Sequence, residues 1–321
     1  LSFETAFKAL IIATIQLYAI GMYLFARELW RSPAAGLVAS VAFTFAPFAL
    51  REALLEGGNI PQFLAIGLFP WALWAATRAG RTNQWRWTVV AGSCYAAVML
   101  SHLFQAFIFA PVLAVYSLLL ILLRLDVANS RLNMRAPLRR TVTRFVLPPP
   151  SSLLPLLALP LGLLLSAFFW LPAFIERYAT RAQADIYLVK SPFFIRYPHW
   201  QELVAWIMPF DVRAANPETP LTLGVVTLIL AGLGLAGGLM SHSSFVLRPS
   251  SFIRNRNSSP AKNQLLITNS PFPLTLLFFA ALALTAAFMS IPSSLQVFDF
   301  VSILQVAEFP WLMLGLPNLG F

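Results

Sequence analysis

Charge is scarce in this chain. Only 11% of its 321 residues are charged, against roughly 25% in soluble domains, while 59% are hydrophobic. That shortage excludes a water-soluble globular enzyme and a disordered chain. Cysteine is scarcer still. Cys94 stands alone, which excludes an internal disulfide and with it a secreted disulfide scaffold. It lies in an apolar run and reads as a small buried hydrophobe. The P-loop, HExxH and CxxC motifs are all missing, so no nucleotide or zinc site of those kinds is written here. The three histidines, His102, His199 and His242, are too scattered for a metal site.

Long apolar runs take the place of these features. A run of at least about 17 residues is long enough to cross a hydrocarbon core. Ala9–Ala26, Ala34–Leu50, Ile60–Thr77, Leu153–Ile175, Leu221–Ser241 and Phe272–Ile291 qualify, and none contains a charge. The longest run, Trp87–Leu123, would make a helix about 55 Å long at ~1.5 Å per residue. That is nearly twice a bilayer core of ~30 Å. Ser101, His102 and Gln105 sit near its middle, which predicts two spans with a tight turn between them. The fold expected is all-α, a polytopic transmembrane bundle of about 8–9 spans in one integral membrane domain over 1–321. The chain opens on Leu1 and stops inside the hydrophobic stretch Phe309 to Phe321, so it reads as a fragment truncated at both ends.

The arginines set the orientation. If Ala9–Ala26 runs inward, the inside segments hold fifteen of the 22 basic residues and two of the 12 acids, for +13. The outside segments sum to −3, and the total is the net +10 of the chain. Membrane proteins bias Lys and Arg to the cytoplasmic side in this way. The net charge is therefore a topology signal and not a nucleic-acid surface; membrane lipids are the expected partner. Val127–Pro150 and His242–Ser270 lack apolar periodicity and read as cytoplasmic linkers (127–150 and 242–270). Residues 176–220 read as an extracytoplasmic loop. Within it, Trp200, Leu203, Val204, Ile207 and Met208 have helical spacing, with Pro198 before them and Glu202 in the first turn. These predict a short amphipathic helix, either on the outer membrane surface or packed on the spans.

The candidate site residues are polar groups at the outer ends of spans. Arg51, Glu52 and Glu56 emerge after Leu50, Gly57-Gly58 permits a close turn, and Asn59 offers both donor and acceptor. Pro61 suits the first turn of the next helix. Glu176, Arg177 and Tyr178 follow another span, and Glu308 approaches a later one. His102 marks the turn in the longest run. Each set also fits plain helix ends and interfacial anchors.

The motif APF…E…GGNIPQFLAIGLFPWALWA, between Val41 and Ala75, resembles bacterial membrane proteins named "6-pyruvoyl-tetrahydropterin synthase-related". SHLFQAFIFAPVL, SAFFWLPAFIE and LQVAEFPW follow in the order seen in that group. The resemblance extends to C-type glycosyltransferases, which take a sugar from a polyprenyl-phosphate lipid. It implies a multi-pass protein of the bacterial inner membrane acting at the outer face on a polyprenyl-phosphate-linked sugar. It also implies a catalytic carboxylate upstream of Leu1, and basic residues or a divalent cation at the leaving phosphate. Two departures stand out. Gly57 occupies a place where the group often has Arg, and Leu312 follows Trp311 where it often has Arg. A non-catalytic transporter or an envelope-assembly subunit remains the alternative reading. The clear spans carry no ionisable group at the midplane, which coupled transporters usually place there.

Overall fold

In a computed structural model, the described residues are 2–48, 59–135, 153–176, 198–205, 221–246, 272–300 and 316. Among them all regular structure is helical. Helix α1 (Phe3–Trp30) starts where the Ser2 hydroxyl accepts the Thr5 N–H at 3.3 Å. It ends at Arg31, whose φ of 54° lets the chain reverse. Ser32 caps α2 (Pro33–Thr44) through the Ala35 N–H, and Pro33 fills a first-turn position where no N–H is needed. Ser40 donates to the Ala19 carbonyl at 2.7 Å, and Gly36 lies against Tyr23 and Arg27. The two helices are therefore an antiparallel pair.

Helix α3 (Ile60–Thr82) runs parallel to α1. The Tyr18 hydroxyl donates to the Phe63 carbonyl at 2.8 Å, the Trp71 indole to Leu17 at 2.9 Å, and Arg81 reaches Glu28. The long apolar run then divides as its polar centre predicts. Helix α4 (Trp85–Ser101) ends at His102, and α5 (Leu103–Arg135) begins after it. Tyr95 donates to the Ala106 carbonyl at 3.2 Å and faces Phe109. Residues equally far from His102 meet, so α4 and α5 form a hairpin. In consequence α5 runs parallel to α3. Phe69 stacks on Phe109 at 4.2 Å, Thr77 pairs with Tyr116 at 2.7 Å, and Arg124 donates to Asn83 at 3.0 Å. These contacts build a core of aromatic and aliphatic side chains between α1, α3, α4 and α5. Meanwhile Leu37, Val38 and Val41 on α2, and Leu118 and Leu122 on α5, stay exposed. A surface this apolar suits contact with lipid.

Two of the expected spans change. Among the described residues, three helices are long and apolar enough to cross a membrane: Phe3–Trp30, Ile60–Thr82 and Leu103–Arg124. One bent pair makes a fourth candidate. The expected span Ala34–Leu50 is interrupted after Thr44: Phe45 and Ala46 leave the helix, Pro47 disfavours helical geometry at Ala46, helical geometry resumes at Pro47, and residues 49–50 lie outside the described residues. The expected span Leu153–Ile175 breaks into α6 (Ala158–Leu165) and α7 (Ala167–Ile175), bent by 74°. Ser166 sits at the bend. Its hydroxyl donates to the Gly162 carbonyl at 2.8 Å, the competition with the backbone ladder that bends helices.

The linker and loop boundaries also shift. Helix α5 continues to Arg135, inside 127–150, as good helix formers there extend the turn-by-turn ladder. Helix α8 (Trp200–Leu203) is a single turn with a capping box between His199 and Glu202. Val204 is already a turn, so the helical spacing does not carry on through it. Leu203 is buried and its carbonyl accepts the Leu223 N–H at 3.0 Å, so this turn packs on the chain itself. Ile207 and Met208 lie outside the described residues. Helices α9 (Val225–Val246) and α10 (Phe272–Met289) match the expected runs, and α9 extends into 242–270. A last turn, α11 (Leu295–Phe300), follows a 3-10 turn at Pro292–Ser294.

Helix α6 packs closely on α4. A Cβ on Gly162 would sit 2.7 Å from the Gly92 carbonyl oxygen and from Tyr95. Small residues allow such contact between membrane helices. Gly232 on α9 has nothing within 4 Å of its own added Cβ. Gly162→Ala should therefore destabilise the purified protein by about 1–3 kcal/mol, read as a lower thermal midpoint in detergent. Gly232→Ala should leave that midpoint unchanged or slightly raised.

Candidate functional site

The hairpin at His102 sets two helix starts side by side. Asn59 is the N-cap of α3, and its Oδ1 accepts the Gln62 N–H at 3.1 Å. His102 precedes α5 in the same way, and its Nδ1 accepts the Gln105 N–H at 3.2 Å. Because α3 and α5 are parallel, these two capping side chains meet. Asn59 Nδ2 lies 3.4 Å from His102 Nε2, although the residues are 43 apart in sequence. Both are half-buried. Behind them Gln62 and Gln105 are buried amide side chains.

The hydrogen bonds fix the chemistry of the pair. A neutral imidazole has one accepting nitrogen and one N–H. Nδ1 accepts from Gln105, so the proton sits on Nε2. That N–H faces the amide nitrogen of Asn59, which is also a donor. The Asn59 oxygen is held by Gln62, so the amide cannot turn over without losing the cap. Two donors thus stand together, and the long 3.4 Å separation fits that conflict. An oxygen from a third group would satisfy both. The N-termini of α3 and α5 add the positive ends of two helix dipoles at the same place. This arrangement favours an anionic or hydroxyl oxygen.

Burial pulls the His102 imidazole below the ordinary histidine value. The neutral ring is the native form at pH 7. Turn capping, one of the two roles open to His102 from sequence, is thus present, and the remaining N–H is turned to Asn59.

Of the other residues singled out from sequence, Glu176 is exposed on a 3-10 turn after α7. Among the described residues no hydrogen bond or ion pair joins it to Asn59 or His102. Arg51, Glu52, Glu56, Arg177, Tyr178 and Glu308 lie outside the described residues. Among the described residues no group of three His, Cys, Asp or Glu side chains could hold a metal. Sequence reasoning passed over Gln62. Its signal was an amide placed directly after Pro61 at a helix start.

A pH prediction follows from the lowered His102 value. Unfolding restores its ordinary affinity for protons, so below about pH 6.5 the unfolded chain binds more protons than the native one. Stability should therefore fall as pH drops from 7 to 5. Thermal unfolding in detergent across that window should show the slope. His102→Ala should remove it. Asn59→Asp should flatten it, because a carboxylate beside Nε2 stabilises the imidazolium. A wild-type slope retained in His102→Ala would assign the titration elsewhere.

No curated protein and no solved structure matches the chain. The family model described as "6-pyruvoyl-tetrahydropterin synthase related domain; membrane protein" matches residues 2–237. With most of its length under that match, and apolar helices of spanning length within it, the chain belongs to this family of membrane proteins.

Proposed function

We propose that the protein handles a polyprenyl-phosphate-linked sugar at its Asn59–His102 end, in the manner of a C-type glycosyltransferase. In this reading it is a multi-pass protein of the bacterial plasma membrane, with about 8–9 spans over its whole length. The arginine-bearing ends of α1, α3 and α5 face the cytoplasm, and Asn59 and His102 face outward.

One observation carries the reading. Two parallel helices end their first turns against each other, and their caps present adjacent N–H donors without a shared acceptor. A phosphate oxygen meets that demand, and the two dipoles favour its charge. In transfer of the sugar, charge builds on the leaving polyprenyl phosphate, and donors fixed in advance stabilise it. An outward carboxylate would take the proton of the acceptor hydroxyl as general base. Glu52 and Glu56, seven and three positions before Asn59 in the sequence, are candidate substrate contacts.

Asn59→Asp separates capping from ligand binding. Asp caps a helix as well as Asn does, but it removes the Nδ2 donor and occupies the His102 N–H. The full-length variant should reach wild-type abundance in membranes. Its transfer of sugar from a polyprenyl-phosphate donor should fall on the order of 10²–10³-fold. Glu56→Gln and Arg177→Gln should lower transfer by about 10²–10⁴-fold, again without loss of protein. Unchanged transfer in Asn59→Asp would leave the pair as two helix caps and nothing more.

A further inference from the structure

The opposite end of the bundle holds a second concave place. A cleft of about 360 Å³ is lined by Leu24, Arg27, Glu28, Arg31, Trp74, Arg78 and Arg81. Four guanidiniums therefore surround one carboxylate. Positions 24, 27 and 28 share one face of α1 and Arg31 follows at its C-cap, so α1 and its end bring three of the charges to one wall. Residues 78 and 81 of α3 supply the other. Positions 22, 25, 26 and 29 of α1 line a separate apolar groove on its other face.

The charges in the cleft are not equally engaged. Arg81 donates to Glu28 Oε1 at 3.0 Å, to the Leu29 carbonyl at 3.2 Å and to the Glu28 carbonyl. It closes the end of α1. Arg78 lies 3.7 Å from the second Glu28 oxygen. Its guanidinium is 4.5 Å from the Trp87 ring and 5.7 Å from Trp74, and its Nε is buried without a hydrogen-bond partner among the described residues. Both α3 arginines thus face the Glu28 carboxylate. Arg27 rests over Tyr23 at 5.8 Å, and neither Arg27 nor Arg31 has a carboxylate partner among the described residues. By contrast, Arg124 at the same end is absorbed as a helix cap, through the Gly80 carbonyl and Asn83.

The rule that places arginines on one side of a membrane needs only their side. It does not require four of them to converge on a cleft already holding its one counter-ion. Like charges gathered around a concave surface repel unless an anion joins them. The position of the cleft names the anion. It lies at helix ends, beside Trp74 and Trp87, where aromatic side chains mark the headgroup level of a bilayer. We propose that this cleft binds the phosphate of an anionic lipid headgroup in the cytoplasmic leaflet. Arg27 and Arg31 contact the phosphate oxygens, and Arg78, held on tryptophan, forms the back of the site. Planar guanidiniums suit phosphate oxygens, and basic pockets between spans hold such headgroups. This site is separate from the Asn59–His102 end and does not depend on sugar transfer.

The test uses the purified chain in detergent, titrated with dioleoylphosphatidylglycerol, with dioleoylphosphatidylcholine and with inorganic phosphate. Native mass spectrometry counts bound lipid, and thermal unfolding reads its effect. Phosphatidylglycerol should bind and raise the midpoint, while phosphatidylcholine and inorganic phosphate should not. Arg27→Gln/Arg31→Gln should weaken phosphatidylglycerol binding at least about tenfold. Arg131→Gln/Arg135→Gln, which removes as much charge without changing any of the lining residues named above, should bind like wild type. Arg27→Lys/Arg31→Lys keeps the charge that directs insertion but loses the planar fork. It should bind more weakly than wild type and more tightly than the glutamine variant. Equal binding by wild type and both cleft variants would overturn the site in favour of general surface attraction. Binding of inorganic phosphate that displaces the lipid would overturn the assignment to a lipid headgroup.

Discussion

A helix through the whole of Trp87–Leu123 would outrun a bilayer, and lipid offers no partner to a backbone that simply unravels. The chain meets this constraint with one residue. At His102 the helical ladder stops, and the imidazole takes the Gln105 N–H that the new helix leaves open. The turn then costs few unpaired groups. Its direction also decides the rest of the bundle. Since α4 returns before α5 begins, α5 must run the same way as α3. The Phe69–Phe109 stack and the Thr77–Tyr116 pair then follow along their length.

Parallel helices sort the chemistry to the two ends. At one end the N-termini of α3 and α5 bring Asn59 to His102, with N–H donors in excess. At the other, the C-termini of α1 and α3 gather Arg27, Arg31, Arg78 and Arg81 around Glu28. The two ends differ in what they lack. The first holds a neutral ring and two dipoles and wants an acceptor. The second holds uncompensated cations and wants an anion. Between them lies a core of rings and small residues, with Gln62 and Gln105 as the buried polar side chains nearest the caps.

How much of this was legible depends on whether the signal was local. The break at His102 could be read because polar residues interrupt an apolar run at mid-length. The start of α3 could be read from Asn59 and Pro61, and the all-helical architecture from run lengths alone. Local competition hid other features. Hydropathy treated Ala34–Leu50 as one span, but its helix breaks at Phe45 and Ala46, just before Pro47. It treated Leu153–Ile175 likewise, although the Ser166 hydroxyl bends that segment. Pairings between distant positions left no trace in the sequence. Nothing in it links Asn59 to His102, and the charge bias gave the arginines a side without showing that four share a cleft.

The account rests on α3 and α5 starting together. Cysteines placed at Asn59 and His102, in a Cys94→Ala background, test this directly with a short bis-maleimide on membrane-embedded protein. The account predicts efficient intramolecular cross-linking of that pair, and none between cysteines at Asn59 and Arg124. Failure of the first pair to react when each single cysteine is labelled, or cross-linking of the second, would contradict it.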